Sequence, residues 1–189
     1  LKKEMPSARL EARLKFESKA KGLIEKKLGQ LSESEVRELF QVVNTEAKAQ
    51  GGLTKNRFAM AFIGNNVNMV TAQLDLFNKW VKRLWTESDD SLKETLDEFW
   101  RTPLPGMPSL PPLILYLRDP DKFSIWMDAT TKGLKKITGF APGPNRNGDT
   151  YFKFNSEVKR LRETYTLQPQ VMDALLSHFG KEPLPLAAP

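Results

Sequence analysis

The stretch VNMVTAQLDLFNKWVKRLW, Val67 to Trp85, carries the strongest periodic signal in the chain. Val67, Val70, Leu74, Phe77, Val81 and Leu84 recur at intervals of three and four, the spacing that lines one face of an α-helix, and Trp80 and Trp85 widen the stripe. A stripe of this kind is first a core wall. The same period extends outward in both directions. Leu10, Leu14, Leu23, Ile24 and Leu28 predict an amphipathic helix over about 7–28, ending near Gly29. Ser32 followed by Glu35 has the form of a capping box, opening a helix with Val36, Leu39, Phe40, Val43 and Ala47 inward and a stop at Gly51-Gly52. A third apolar segment spans 57–63 and ends at GNN. Ser91 with Glu94 caps a short helix bearing Leu92, Leu96, Phe99 and Trp100. The segments read almost wholly as helices, so the expected fold class is all-α, a multi-helix globular domain.

The composition then changes abruptly. RTPLPGMPSLPP, Arg101 to Pro112, holds five prolines in twelve residues. Proline fixes φ and removes an amide donor, so this run breaks the helical array and divides the chain. The organisation read from it is an N-terminal helical region, 1–101, a Pro-rich connection, 102–112, a C-terminal helical region packed on the first, 113–180, and a tail or linker, 181–189. Within the C-terminal region, helices are expected over 110–117 (stopped by Asp119-Pro120), 129–137, 152–165 and 169–179 (closed by Gly180). GPNRNGD, Gly143 to Asp149, reads as an exposed turn-rich loop. The opening on Leu1 and the close on KEPLPLAAP suggest a domain taken from a longer chain.

The 189 residues suffice for a real core, and 40% hydrophobic content with 11 Phe and 4 Trp argues for a folded globule. Cysteine is absent, which removes disulfides, thiolate nucleophiles and Cys-based zinc sites and suits a reducing cytoplasm. No apolar run is long enough to span a bilayer. One histidine, His178, is too few for a Ser-His-Asp or Cys-His relay away from its own helix end. Neither a Walker loop nor a dinucleotide fingerprint occurs. No cofactor and no metal is expected, nor an enzyme.

Net charge is +6, and its distribution points to a polyanion. Nine basic residues stand against four acids over 2–30, and ten against five over 118–162, while the middle of the chain has nine against eleven. The plain alternative is that both runs are solvated helix faces.

Two resemblances bear on function. LPGMPSLPPLILYLRDPDKFSIWMDATTKGL, Leu104 to Leu134, is similar to the helix-hairpin-helix segment of the DNA glycosylase superfamily. Leu104, Pro105 and Gly106 match its hairpin, and Asp128 falls where that family has its catalytic Asp. Pro108 replaces the second hairpin glycine, Leu110 stands at the lysine position of lyase-type members, and no His follows Asp128. RFAMAFIGNNVNMVTAQLDLFNKWVKRLW, Arg57 to Trp85, together with LYLRDPDKFSIWMDATTKGLKKITG, resembles regions ahead of the AAA+ motor in McrB-like restriction ATPases. That resemblance implies a specificity module recognising modified or foreign double-stranded DNA for a defence system, with a AAA+ motor in the same chain and a nuclease subunit as partners.

The residues themselves allow a matching interface. Amides at Gly106, Met107 and Ser109 can meet a phosphate at a helix start. Thr130, Thr131, Lys132, Lys135 and Lys136 can follow the backbone of the duplex, and Asn145 and Arg146 can reach a groove. Trp126 and Asp128 are candidates for a base pocket, by stacking and hydrogen bonding. Equally, Trp126 reads as a core anchor and Asp128 as a helix cap. A protein-interaction adaptor and a monofunctional glycosylase acting through Asp128 stay open beside the DNA-binding module.

Overall fold

A computed structural model describes residues 7–48, 51–55, 57–58, 65–102, 104 and 108–181. The fold is all-α: 70% of the chain is helical, with nine helices and one two-stranded sheet among the described residues. The helices are α1 (Ser7–Lys26), α2 (Glu33–Asn44), α3 (Asn65–Thr71), α4 (Leu74–Thr86), α5 (Leu92–Arg101), α6 (Leu110–Arg118), α7 (Asp128–Thr138), α8 (Gly148–Tyr165) and α9 (Pro169–Lys181). Two short strands, β1 (Glu46–Ala47) and β2 (Leu53–Thr54), pair antiparallel.

The inward face of α1 shares Ile24 with the expected stripe, and Leu23 and Leu28 pack beside the core, but the face is centred elsewhere. Arg13, Glu17, Ala20 and Ile24 are its buried residues, whereas Leu14 is 45% exposed. These four recur at intervals of four, three and four and form a face as regular as the leucine one. The helix is turned to bury charge because partners for that charge wait inside.

The capping box that opens α2 is present: the Glu35 amide donates to Ser32 Oγ at 3.4 Å, and the Ser32 amide donates to Glu35 Oε2 at 2.9 Å. The helix stops at Asn44, earlier than Gly51-Gly52, and Ala47 lies in β1. Asn44 explains the early stop. Its Nδ2 donates to the Lys55 carbonyl at 2.9 Å and its Oδ1 accepts from the Phe58 amide at 2.6 Å, so a buried side chain clasps the return loop. Gly51 and Gly52, with φ of +90° and +75°, instead supply the left-handed turn of the hairpin. The apolar segment expected over 57–63 lies largely outside the described residues; Arg57 and Phe58 are buried and non-helical.

The Val67–Trp85 stripe faces the core, but it belongs to two helices. The chain breaks at Ala72-Gln73, with Gln73 at φ −126° and ψ 44°. Asn78 of α4 then pairs through both amide atoms with the backbone of Leu31, at 2.9 and 2.8 Å, locking the α1–α2 loop. Ser91 precedes α5 without capping it, its hydroxyl lying 3.0 Å from that of Ser88.

Helix α6 is the centre of the fold: Leu110 to Leu117 are all buried. Pro111 and Pro112 sit in its first turn, where a missing amide costs no intrahelical bond, so the connection reaches less far than position 112. Buried residues from both sides of the Pro-rich run join one hydrophobic cluster. Helix α8 begins at Gly148, four residues before expectation, because Asn147 caps it by accepting from the Thr150 amide at 2.8 Å. The last residues of the GPNRNGD loop are therefore helical.

Helices α7 and α9 pack in close antiparallel contact, and glycine makes it possible. A Cβ on Gly133 would lie 1.9 Å from the Leu176 carbonyl oxygen, and one on Gly180 would lie 1.8 Å from that of Ala129. Gly180 is thus a packing residue inside α9, not its terminator. Gly139, at φ +75°, is the residue that ends α7. Gly133→Ala is expected to destabilise the protein by about 1–3 kcal/mol through overpacking. Gly22→Ala, in open space on α1, is expected to stabilise it by about 0.5–1 kcal/mol. Urea unfolding of the two variants beside the parent checks both signs.

Candidate functional site

Two places in the structure concentrate chemistry: the surface around α7 anticipated from the sequence, and a buried ionic network that no sequence motif announces.

On the α7 side, the structure gathers Ser109, Trp126, Asp128 and Arg146. Arg146 is the hub. It donates to the Pro108 carbonyl at 3.4 Å and to Ser109 Oγ at 3.3 Å, lies 3.6 Å from Asp128, and places its guanidinium 5.4 Å from the Trp126 ring centroid. Trp126 is 5% exposed. It packs edge-on to Trp100 at 5.5 Å and stacks near Phe154 at 6.1 Å, so its faces are filled by protein and no base can stack there. Asp128, by contrast, has an 87% exposed side chain. It is the first residue of α7 and not its cap, a position where a negative charge favours the helix dipole. The capping is done by Thr130, whose buried hydroxyl accepts from the Met127 amide at 2.9 Å and faces the Ile125 carbonyl at 3.0 Å. Trp126 and Asp128 do not form a base pocket.

The remaining expected contacts divide by availability. Thr130 is enclosed, and the Thr131 hydroxyl turns back to the Met127 carbonyl at 2.9 Å. Lys136 reaches across to the Phe179 carbonyl at 2.8 Å. Lys132 and Lys135, one turn apart on α7, are exposed and have no acidic partner among the described residues; Asn145 is exposed on the neighbouring loop. Gly106 and Met107 lie outside the described residues. Of the amides that start α6, Pro111 and Pro112 supply none, which leaves Arg146 as the main cationic group near Ser109.

The network lies where α1, β1, the loop after β2, α6 and α9 meet. Arg13 donates from Nε and Nη2 to Glu46 Oε1, at 3.0 and 2.7 Å, and from Nη1 to Asp173 Oδ2 at 2.6 Å. Arg57 faces Glu17 at 2.6 Å and Asp173 at 3.3 Å. The Tyr116 hydroxyl and Gln170 Nε2 complete Glu17, at 3.0 and 2.9 Å. Both arginine side chains are 3% exposed. Burial acts first on Arg57 and opposes its charge, but Glu17 and Asp173 outweigh it and strengthen its hold on the proton. Burial would raise the Glu46 pKa, yet Arg13 and then Arg9 hold it below the usual carboxylate range. Tyr116 moves well up, through burial and the adjacent Glu17.

Arg13 and Glu17 stand four apart, a spacing typical of exposed helix pairs, so sequence alone files them on the solvated face. What distinguishes them is distant: Glu46, Arg57 and Asp173 arrive only through folding.

A cleft of about 290 Å³ opens beside the network, bounded by α1, the start of α7 and the end of α9. Among the described residues no group of three His, Asp or Glu side chains is placed to hold a metal ion, and no helix is long and apolar enough to cross a membrane. No family model, no curated protein and no solved structure matches the chain.

Removing Asp173 takes a carboxylate from two buried arginines at once, leaving Arg13 only Glu46 and Arg57 only Glu17. Asp173→Ala is expected to cost about 3–5 kcal/mol in urea unfolding. A second outcome concerns pH. Because the folded pKa of Glu46 lies below its ordinary value of 4.5, its contribution is complete above that value and is lost as pH falls through the lower folded pKa. The parent should therefore lose more stability between neutral and strongly acidic pH than Glu46→Gln does, read from unfolding midpoints at both.

Proposed function

We propose that the protein is a DNA-binding module, the recognition part of a larger restriction or defence system, with catalysis left to a AAA+ motor and a nuclease. The observation that carries this reading is the pair Lys132 and Lys135, exposed side by side on α7 with no acidic partner among the described residues. Most other cations of the C-terminal region are already matched. Arg160 faces Glu157 at 2.6 Å, Arg162 faces Asp121 at 2.7 Å and Lys122 faces Asp89 at 3.0 Å. Spare lysines at helical spacing are the groups that can exchange counterions for phosphates. Asn145, on the loop beside the start of α7, adds a neutral donor and acceptor for sugar or base edges.

The larger system comes from the resemblance to McrB-like chains. With the Trp126 indole enclosed, the module reads duplex backbone and groove edges and does not rely on a base stacked at that indole. A glycosylase reading is the weaker one, because the Asp128 side chain stands in solvent beside Arg146.

Fluorescence anisotropy with a short duplex tests the proposal. Binding is expected to weaken as salt rises from roughly 50 to 200 mM, and Lys132→Glu with Lys135→Glu is expected to flatten the log–log slope by about 2, near 0.9 per phosphate contact. Absence of binding at the lower salt, or an unchanged slope in the double variant, overturns it.

A further inference from the structure

We infer that the cleft between α1 and the α7–α9 pair binds a small oxyanion, a phosphate or carboxylate group carried on an apolar body. Its lining carries four basic side chains, Arg9, Arg13, Arg57 and Lys181, against two carboxylates, Glu46 and Asp173. Glu17, just behind the lining, also faces Arg57, so four basic side chains stand against three carboxylates, an excess of one positive charge.

The donors in this cleft outnumber their acceptors. Arg57 Nε is buried and has no hydrogen-bond partner, although both Nη atoms of the same guanidinium are matched. A buried N–H without an acceptor is rare in a folded protein, and this one belongs to a guanidinium whose residue lines the cleft, so the cleft is the nearest place for an acceptor from outside. Two further donors share the lining. Neither the Ser177 hydroxyl nor the Lys181 ammonium has a partner among the described residues. They lie four apart on α9 and so project from one face of the helix.

Part of the lining is apolar. Phe58, Met127 and Ala174 line the same space, and about 290 Å³ is the low end of the range for small-molecule pockets. An oxyanion supplies several lone pairs to the three unmatched donors and cancels the excess charge. An apolar body covers Phe58 and Met127. A simple cation is disfavoured by the charge balance, and a purely apolar ligand leaves the donors unmatched.

This site uses none of Lys132, Lys135 or Asn145, so it stands or falls independently of duplex binding. Nuclear magnetic resonance titrations with inorganic phosphate and, separately, benzoate test it at constant ionic strength. Each is taken from about 0.1 to about 20 mM, which brackets a millimolar single-site affinity. The expected result is a saturable shift of the Arg57 Nε–H signal and of the Ser177 and Lys181 amides with at least one probe; the tighter probe tells phosphate from carboxylate. Ser177→Ala with Lys181→Gln, which removes both unmatched donors of α9, should weaken that binding about tenfold, the size of one charge-assisted hydrogen bond. Lack of saturation with both probes overturns the inference, as does equal affinity in the double variant.

Discussion

One carboxylate oxygen organises this molecule. Asp173 Oδ2 accepts from Arg13 at 2.6 Å and from Arg57 at 3.3 Å, joining residues more than a hundred positions apart in the chain. Ions buried in this way contribute less to stability than their short distances suggest, because desolvation offsets most of the attraction. Their effect here is on which arrangement forms. Helix α1 carries apolar residues beyond its buried face, Leu14 among them, yet Arg13, Glu17, Ala20 and Ile24 are the ones that go inward. Only that choice satisfies Glu46, Arg57 and Asp173 together. Asn44 and Asn78 act in the same sense at smaller scale, each fixing a loop by bonding to its backbone through both ends of an amide.

From that anchor the geometry propagates to the surface. Asp173 fixes α9, and α9 fixes α7 through backbone contact at Gly133 and Gly180. Neither glycine leaves room for a side chain, so α7 has little freedom to slide or roll. Its outward face, with Lys132 and Lys135, is therefore held by residues that never reach solvent. The same arrangement leaves a gap where α9 ends, and that gap is the cleft with unmatched donors.

Local signals were legible in the sequence. The capping box at Ser32 and Glu35, the buried α6, the basic α7 and the core role of Phe77, Val81 and Leu84 follow from spacing and composition, since each depends on a few neighbouring residues. Long-range compensation was not legible. Gly180 resembles a helix stop until Ala129 appears beside it, and Gly51-Gly52 resembles one until Asn44 claims the loop. Trp126 and Asp128 look alike as pocket candidates when read along the chain. Folding separates them, enclosing the indole among Trp100, Tyr151 and Phe154 and leaving the carboxylate in water. The network escaped because charged residues at helical spacing usually belong to the surface.

Net charge alone says little about binding here, since many of the cations are spent internally or on surface acids. The proposed duplex binding depends on the few that are not, and on their being held rigidly on α7. Chemical-shift mapping of the amide signals with a short unmodified duplex tests this most directly. The account predicts salt-sensitive, saturable shifts that cluster on Lys132, Lys135 and Asn145 and spare the buried network around Asp173. Shifts that scatter over the basic residues of α1 instead, or no shifts at low salt, would contradict it.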